Sequence, residues 1–272
     1  IAAAATTGTA TVAAPGDDPY IDASTVSATI ATATGGNFES LQINPAAATT
    51  TVTDDVDATT VSLSATASVA EGGSIVYTAT LTNAAQTPVT VTLSTGQTIT
   101  IAAGATTGTV SIAAPGDDPY VDAGSVSRTI SSATGGNFES LVVNATPAVT
   151  TVTDTIDVAT LSITGSASVT EGASGSYTLS LTSPAQTAVT VNLTYSGTAA
   201  NGADYTGVAT VTIAAGTSSA TFNIATLDDT IDEVTAESFT VTVASATGGN
   251  FENLIVSGVN NSVTSTIVDN DP

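Results

Sequence analysis

An all-β fold of tandem β-sandwich modules is predicted by three observations. Short period-2 runs of β-branched residues follow one another along the chain, parted by Gly, Pro, Asn and Asp at intervals of about ten residues. No helical periodicity of useful length competes with them. The chain also repeats with a period of 100 residues: Ala14-Pro-Gly-Asp-Asp-Pro-Tyr20 returns as Ala114-Pro-Gly-Asp-Asp-Pro-Tyr120, and Val69-Ala-Glu71-Gly returns as Val169-Thr-Glu171-Gly. That period is the size of a whole small domain, longer than the repeat unit of a solenoid or a propeller blade.

The strands of the complete module can be read in order. Val61-Ser-Leu-Ser-Ala65 alternates apolar and polar up to the turn at Glu71-Gly-Gly. Ile75-Val-Tyr-Thr-Ala-Thr-Leu81 follows and stops before Asn83. Val89-Thr-Val-Thr-Leu93, Ile99-Thr-Ile101 and Thr109-Val-Ser-Ile112 are separated by Gly96 and Gly104. After the Pro115–Pro119 loop come Val126-Ser-Arg-Thr-Ile130 and, past Gly135-Gly-Asn137, Leu141-Val-Val143 and Thr150-Thr-Val-Thr153. Seven to nine strands are thus expected per module. Thr fills many outward positions, where its branching suits a pleated surface and its hydroxyl keeps that surface wet. The core should be light, since the chain has only 6 Tyr and 5 Phe and much of its apolar fraction is Ala.

Alignment on the period divides the chain into residues 1–57, the C-terminal half of a sandwich module, residues 58–157, a complete module, and residues 158–272, a longer one. The half-module follows from Ile1-Ala-Ala-Ala-Ala-Thr-Thr-Gly8, which matches Ile101-Ala-Ala-Gly-Ala-Thr-Thr-Gly108. The last module is longer because residues 194–216 replace 94–104 and the loop after Asp229 has grown. Entry in mid-module and the lack of Met read as a piece of a much longer protein. The alternative is a half-module completed by strands of a neighbouring chain.

Composition excludes several classes of function. With 24 acidic residues, a single basic one (Arg128) and no His, the formal charge is -23. Nucleic acid and anionic membrane are poor partners for such a surface, because both need Lys and Arg against phosphate. No segment approaches ~18 uninterrupted apolar residues, so no membrane insertion is expected. The absence of Cys fits an exported protein that does not rely on disulfides. Without His, Cys or Lys, the usual nucleophile and base pairs cannot be built. Two carboxylates could still form a glycosidase pair, yet the acids recur in every module whereas an active site would occur once. An enzyme is not expected.

The acids fall at recurring positions. The middle module carries Glu71, the loop acids Asp117, Asp118 and Asp122, Glu139 after Thr-Gly-Gly-Asn-Phe, and the connector acids Asp154 and Asp157. The first carries Asp17, Asp18, Asp22, Glu39, Asp54, Asp55 and Asp57, and the last Glu171, Asp204, Asp228, Asp229, Asp232, Glu233, Glu237, Glu252, Asp269 and Asp271. One Arg cannot neutralise these clusters, and adjacent carboxylates repel. A hard cation reverses that sign. Carboxylates, carbonyls of Gly-rich turns and water are the ligands of Ca2+, while the lack of His and Cys argues against zinc, copper and iron. The alternative is a solvated acidic surface that serves solubility only. Candidate Ca2+ ligands are Asp17, Asp18, Asp22, Asp54, Asp57, Glu71, Asp117, Asp118, Asp122, Asp154 and Asp157, then Glu171, Asp204, Asp228, Asp229, Asp232, Glu237, Asp269 and Asp271.

Through Thr-Gly-Gly-Asn-Phe-Glu (34–39 and 134–139), Ala-Pro-Gly-Asp-Asp-Pro-Tyr, Val-Thr-Asp-Thr-Ile-Asp (152–157) and Val-Ala-Glu-Gly-Gly, the chain resembles the tandem, immunoglobulin-like extender repeats of large bacterial RTX-type biofilm adhesins. The last module is also similar to Calx-β domains, through Asp204-Tyr205, Leu227-Asp-Asp-Thr-Ile-Asp-Glu233, Glu237-Ser-Phe-Thr-Val and Asp269-Asn-Asp-Pro272. That resemblance implies Ca2+ at one end of the sandwich, held by Glu171, Asp204, Asp229, Glu237 and Asp269. The middle module lacks the Asp-Tyr insertion and the Glu-Ser-Phe segment, so its site should be smaller or depend more on the connector. The Gly-Gly-x-Gly-x-Asp nonapeptide of RTX proteins is absent.

The resemblance and the acids together imply a Ca2+-stiffened extender, extracellular or on the bacterial surface, that supports attachment and biofilm formation. Its partners would be neighbouring repeats of the same chain, with Asp154 and Asp157 placed to share an ion across a connector. One alternative is a subunit of a fibre or surface layer that contacts like chains, strand exchange included. Another is direct binding of a glycan or other surface, for which Tyr20, Tyr120 and Tyr205 are the aromatic candidates.

Overall fold

The computed structural model describes residues 1–22, 24–231 and 235–271, and no helix forms among them. In the first half-repeat, β1 (Ser24–Ala28) and β2 (Ala48–Val52) pair antiparallel. The middle repeat runs β3 (Ala58–Ala65), β4 (Ser68–Ala70), β5 (Ser74–Leu81), β6 (Val89–Leu93), β7 (Thr98–Ile101), β8 (Thr107–Ala113), β9 (Gly124–Arg128), β10 (Ile130–Gly135), β11 (Ser140–Val143) and β12 (Ala148–Thr153). The last repeat runs β13 (Val158–Gly165), β14 (Ser168–Thr170), β15 (Ser174–Leu181), β16 (Val189–Gly197), β17 (Tyr205–Thr206), β18 (Thr210–Ile213), β19 (Ser219–Thr226), β20 (Ser238–Gly248), β21 (Asn253–Val256) and β22 (Ser262–Val268). The protein is all-β, built of tandem sandwiches, as the alternation predicts.

In the middle repeat one layer is β11-β3-β5-β8, and the other is split into β10-β6-β7 and β4-β12-β9. In the last repeat the layers are two continuous sheets, β17-β19-β15-β13-β21 and β14-β22-β20-β16-β18. The inserted segment accounts for this difference. It lengthens β16 to nine residues against five in β6, so β16 pairs along all of β20 from Val189↔Gly248 to Gly197↔Phe239. The shorter β6 pairs with β7 and β10, and β9, the strand just before β10, pairs with β12 instead. The periodic run 126–130 therefore divides at Thr129 into two strands.

Period-2 counting also misses β4 and β14, which at three residues are too short to show alternation. Each arises where the first strand of a sandwich crosses from one layer to the other. The carbonyl exposed at the crossing is satisfied by a fully buried hydroxyl: Thr150 Oγ1 donates to Thr66 O at 2.7 Å and Ser265 Oγ to Ser166 O at 2.6 Å. The cores lie between the layers, with Ile75, Tyr77, Val89, Val91 and Ile99 buried in the middle repeat. The last repeat buries Leu161, Tyr177, Val189, Tyr205 and Phe239, with Tyr205 stacked on Phe239 at 4.4 Å between ring centroids.

Compactness groups the chain into two units. The first comprises Ile1–Val69, Gly73–Ala114 and Ser125–Thr151, and the second Ala70–Gly72, Pro115–Gly124 and Val152–Pro272. Two short pieces of the middle repeat, the turn at Glu71 and the Asp117–Asp118 loop, thus belong to the second unit. In the first unit, the strands among the described residues of 1–57 are β1 and β2, and Tyr20 adds an isolated bridge to Phe138. The period explains why. Within the middle repeat β7 and β10 pair with β6, β8 with β5 and β11 with β3, and the 1–57 segment contains no counterpart of β3, β5 or β6. Val12, Ile30 and Phe38 are accordingly exposed.

Candidate metal centres

Glu71 follows β4 on a turn fixed at both ends: its amide donates to Thr153 O at 3.0 Å, and Gly72 N donates to Pro115 O at 2.7 Å. Gly72 has φ 67°, a conformation that costs glycine least. The Glu71 side chain is 6% exposed and points to Asp154, the residue after β12, and to Glu252, which ends the Gly248-Gly-Asn-Phe-Glu hairpin before β21. One carboxylate oxygen from each of the three lies within 4.8 Å of the others. All three residues are in the second unit.

The cluster has unmet demand. Glu71 Oε2, Asp154 Oδ1 and Glu252 Oε1 are buried and accept no hydrogen bond. The Asp122 carboxyl beside Glu71, burial and the nearby Asp154 push the Glu71 carboxyl up to about 7. Glu252 is drawn down by the Asp157 amide, which donates to its Oε2 at 2.5 Å, yet burial and the charges of Asp154 and Asp157 leave it raised. Crowded carboxylates, each with a buried oxygen that accepts no hydrogen bond, destabilise their own charge.

A second cluster lies in the last repeat. Glu171, 8% exposed, occupies the position of Glu71 one period later, and its carboxylate gathers with Asp229 and Asp271, again within 4.8 Å. Asn270 Nδ2 ties the surrounding turns together, donating to Glu171 O at 3.3 Å and Asp228 Oδ1 at 3.0 Å. In the first unit a third group repeats part of the first. Asp57 N donates to Glu139 Oε2 at 2.5 Å, and Glu139 Oε1 is buried without a hydrogen bond. The Asp57 amide pulls Glu139 down, but burial and the charges of Asp54 and Asp57 raise it overall. Asp55, then Asp57 and Asp54, raise Asp17.

Candidate ligands also take part in hydrogen bonds within and between loops. Asp18, Asp118 and Asp229 accept the amides of Tyr20, Tyr120 and Ile231 at 2.9, 2.9 and 2.8 Å, closing the same turn in each repeat. Asp117 accepts the Thr155 hydroxyl. Asp22 N donates to Asp54 Oδ2 at 3.2 Å, and Asp269 Oδ1 accepts Asp271 N at 2.8 Å. Asp204 accepts Ala200 N at 2.5 Å, within the insertion, and the Glu237 carbonyl accepts Ile267 N at 2.9 Å. Asp232 lies outside the described residues. Sequence reasoning passed over Glu139 and Glu252 as ligands, although both close a Thr-Gly-Gly-Asn-Phe-Glu hexapeptide or its Phe251 equivalent at a fixed place.

The fold defines a tandem β-sandwich repeat that gathers carboxylates into clusters at recurring places. The LapA domain matches the chain three times, over residues 1–55, 57–155 and 157–270. The chain belongs to the LapA domain family, a family of biofilm adhesins. Membership points to a non-enzymatic structural module of an adhesin. No curated protein matches it. Among solved structures, the apo form of the Calx CBD1 domain is 21% identical with a TM-score of 0.37, over 42% of this chain and 100% of that one. The native conformation of E. coli alpha-2-macroglobulin is 10% identical with a TM-score of 0.28, over 83% of this chain and 18% of that one. Salmonella alpha-2-macroglobulin reacted with methylamine is 9% identical with a TM-score of 0.26, over 91% and 18%.

Proposed function

We propose that this chain is a Ca2+-stiffened extender of a bacterial adhesin at the cell surface or secreted, supporting attachment and biofilm formation. Its modules in this reading are 1–57, 58–157 and 158–272. The observation that carries it is the convergence of Glu71 and Asp154 from one repeat with Glu252 from the next, each with a buried oxygen lacking a donor. Oxygens around one Ca2+ with bonds of 2.3–2.6 Å lie no more than about 5.2 Å apart, and three oxygens within 4.8 Å of one another can share such an ion. Asp122 and Asp157 stand beside this set, and Asp117 beside its loop. Bound Ca2+ would supply positive charge against the mutual repulsion.

Because its ligands come from two successive repeats, a cation there would stiffen a junction that a short linker alone leaves mobile. Glu171, Asp229 and Asp271 would hold loops of a single sandwich, with Asp228 and Asp269 supporting them. Asp17, Asp54 and Asp57 with Glu139 would repeat the junction site one period earlier. The family supports an adhesin. Direct glycan binding has less support: Tyr205 is 2% exposed, while Tyr20 and Tyr120 stack on Phe138 and Phe251.

Calorimetric titration with Ca2+ and solution scattering test the reading. Asp154→Asn with Asp157→Asn should lower Ca2+ affinity and widen the scattering envelope of the Ca2+ form while each sandwich stays folded. Glu171→Gln with Asp229→Asn should lower the melting temperature of the last repeat instead. A chain that takes up no Ca2+ at millimolar concentration would overturn the proposal. Association of chains into ordered polymers would favour the fibre-subunit reading.

A further inference from the structure

We infer that Tyr20 and Tyr120 are latches: each Asp-Asp-Pro-Tyr loop grips a hairpin of the following repeat through a contact that needs no metal. This inference does not rest on the Ca2+ reading. In the second unit the Tyr120 ring stacks on Phe251 at 5.4 Å between centroids and 25° between planes. Its hydroxyl reaches past the hairpin to donate to Pro184 O at 2.5 Å. Two backbone bonds clasp the loop to the hairpin, Val121 N to Asn250 O at 3.0 Å and Glu252 N to Pro119 O at 3.1 Å. Asn250 Nδ2 adds a bond to Val121 O at 3.3 Å, and among the described residues no hydrogen bond to a side-chain carboxylate joins the loop to the hairpin. Of the loop carboxylates, Asp118 accepts the Tyr120 amide through Oδ1 and so shapes the loop itself, and Asp117 accepts the Thr155 hydroxyl.

The same constellation occurs in the first unit. Tyr20 stacks on Phe138 at 5.6 Å and 24°, and its hydroxyl donates to Ala84 O at 2.6 Å. Ile21 N donates to Asn137 O at 3.1 Å and Glu139 N to Pro19 O at 3.2 Å. Two independent copies with matching partners mark a recognition element rather than an incidental contact of loops.

The receiving hairpin is shaped for this role. Gly248, Gly249 and Asn250 all have positive φ, and a Cβ on Gly249 would lie 2.4 Å from the Phe251 ring. Phe251 therefore folds over Gly249 and offers its other face to the tyrosine. Gln186 and Thr187 brace the hairpin from behind: Asn250 Nδ2 donates to Gln186 Oε1 at 2.8 Å and Gly249 N to Thr187 Oγ1 at 3.1 Å. Gln86 and Thr87 do the same for Asn137 and Gly136, at 2.7 and 3.1 Å.

An internal contrast supports the assignment. The counterpart loop of the last repeat, Asp228-Asp229-Thr230-Ile231, keeps the aspartate turn yet has neither Pro nor Tyr, and Ile231 is 64% exposed. A repeat can therefore carry the loop without the latch, and the tyrosine distinguishes the two kinds.

Amide hydrogen exchange on the full chain tests this. In EDTA the Val121 and Glu252 amides should stay protected, with the Glu39 amide as the fast reference. Tyr120→Ala should speed both by at least about tenfold, in EDTA and in Ca2+ alike, while the Thr178 amide of the sandwich is unchanged. Tyr120→Phe, which keeps the stack and loses only the hydroxyl bond, should fall between wild type and Tyr120→Ala. Val121 and Glu252 exchanging as fast as Glu39 in wild-type protein in EDTA would overturn the latch, as would unaltered protection in both variants. Loss of Ca2+ binding leaves these expectations intact, so the latch and the Ca2+ reading fail separately.

Discussion

Glu71 and Glu171 stand at the same point of successive repeats, each after a three-residue edge strand and each with its amide bonded at 3.0 Å to the strand beyond, at Thr153 O and Val268 O. Their carboxylates nevertheless meet different company. Glu71 finds Asp154 and, from the next repeat, Glu252, whereas Glu171 finds Asp229 and Asp271 of its own repeat. Two local changes account for this. Where the last repeat has Asp271, the middle repeat has Ile156, which is 79% exposed and adds no ligand. Where the last repeat has the open Asp229 loop, the middle repeat has a loop drawn onto a hairpin by Tyr120, and that hairpin delivers Glu252. A glutamate that recurs at one place in the repeat can thus gather acids of its own module or of two modules, and the neighbours decide which.

The largest expected effect tests whether both clusters are metal sites. At ten to a hundred times its Kd, Ca2+ stabilises by about 1.4–2.7 kcal/mol per site. About 1 kcal/mol moves the melting point of a ~100-residue module by about 4–8 °C. Calorimetric scans in Ca2+ and in EDTA should therefore differ by roughly 10 °C or more, and superimposable scans would remove metal from both clusters.

Next in size is a change of sign at the junction site. Glu71→Gln should weaken Ca2+ binding by at least about tenfold. In EDTA the same substitution should raise the melting temperature, because it removes one of three crowded charges. The equivalent Glu171→Gln should act on the last repeat alone.

A smaller effect follows from pH. The folded state raises the Glu71 carboxyl from 4.5 to about 7, so between those values the folded chain holds more protons than the unfolded one. Stability in EDTA should then fall as pH rises through that window, since the unfolded state binds fewer protons there. In Ca2+ the trend should flatten or reverse, because protons compete with the cation. A metal-free melting temperature that climbs from pH 5 to 7 would contradict the crowding at Glu71.

The smallest effect concerns Asp204, a ligand by resemblance to Calx-β domains, whose carboxylate accepts the Ala200 amide. Asp204→Asn should change stability by no more than about 0.5 kcal/mol and leave Ca2+ binding untouched. A clear loss of affinity would move Asp204 into the second cluster and widen its difference from the first.

The sites were only partly legible in the sequence. Recurrence in register marked Glu71, Asp154, Glu171, Asp229 and Asp271 as acids with a common purpose. Glu252 escaped because it was read with its own repeat, and nothing in a spacing says that a hairpin of one repeat reaches the turn of another. From sequence Tyr20 and Tyr120 pack beside their acidic loops or serve as sugar platforms, and their ring partners Phe138 and Phe251, far away in the chain, are shown by no spacing. Glu237 and Asp269 were drawn from resemblance, and in the fold the Glu237 carbonyl and the Asp269 carboxylate bind nearby amides.

Alternation of β-branched residues, the 100-residue period and the charge of -23 determined by themselves an all-β tandem array that suits cations and repels phosphate. These are properties of local pattern and composition, which survive without knowing any contact. The tertiary structure alone decided how the layers divide, since that depends on β16 outgrowing β6. It alone decided which carboxylates share a space as well. Strand pairing and loop docking bring distant residues together through backbone bonds and ring stacking, and those partners are chosen by three-dimensional fit, to which sequence separation is blind.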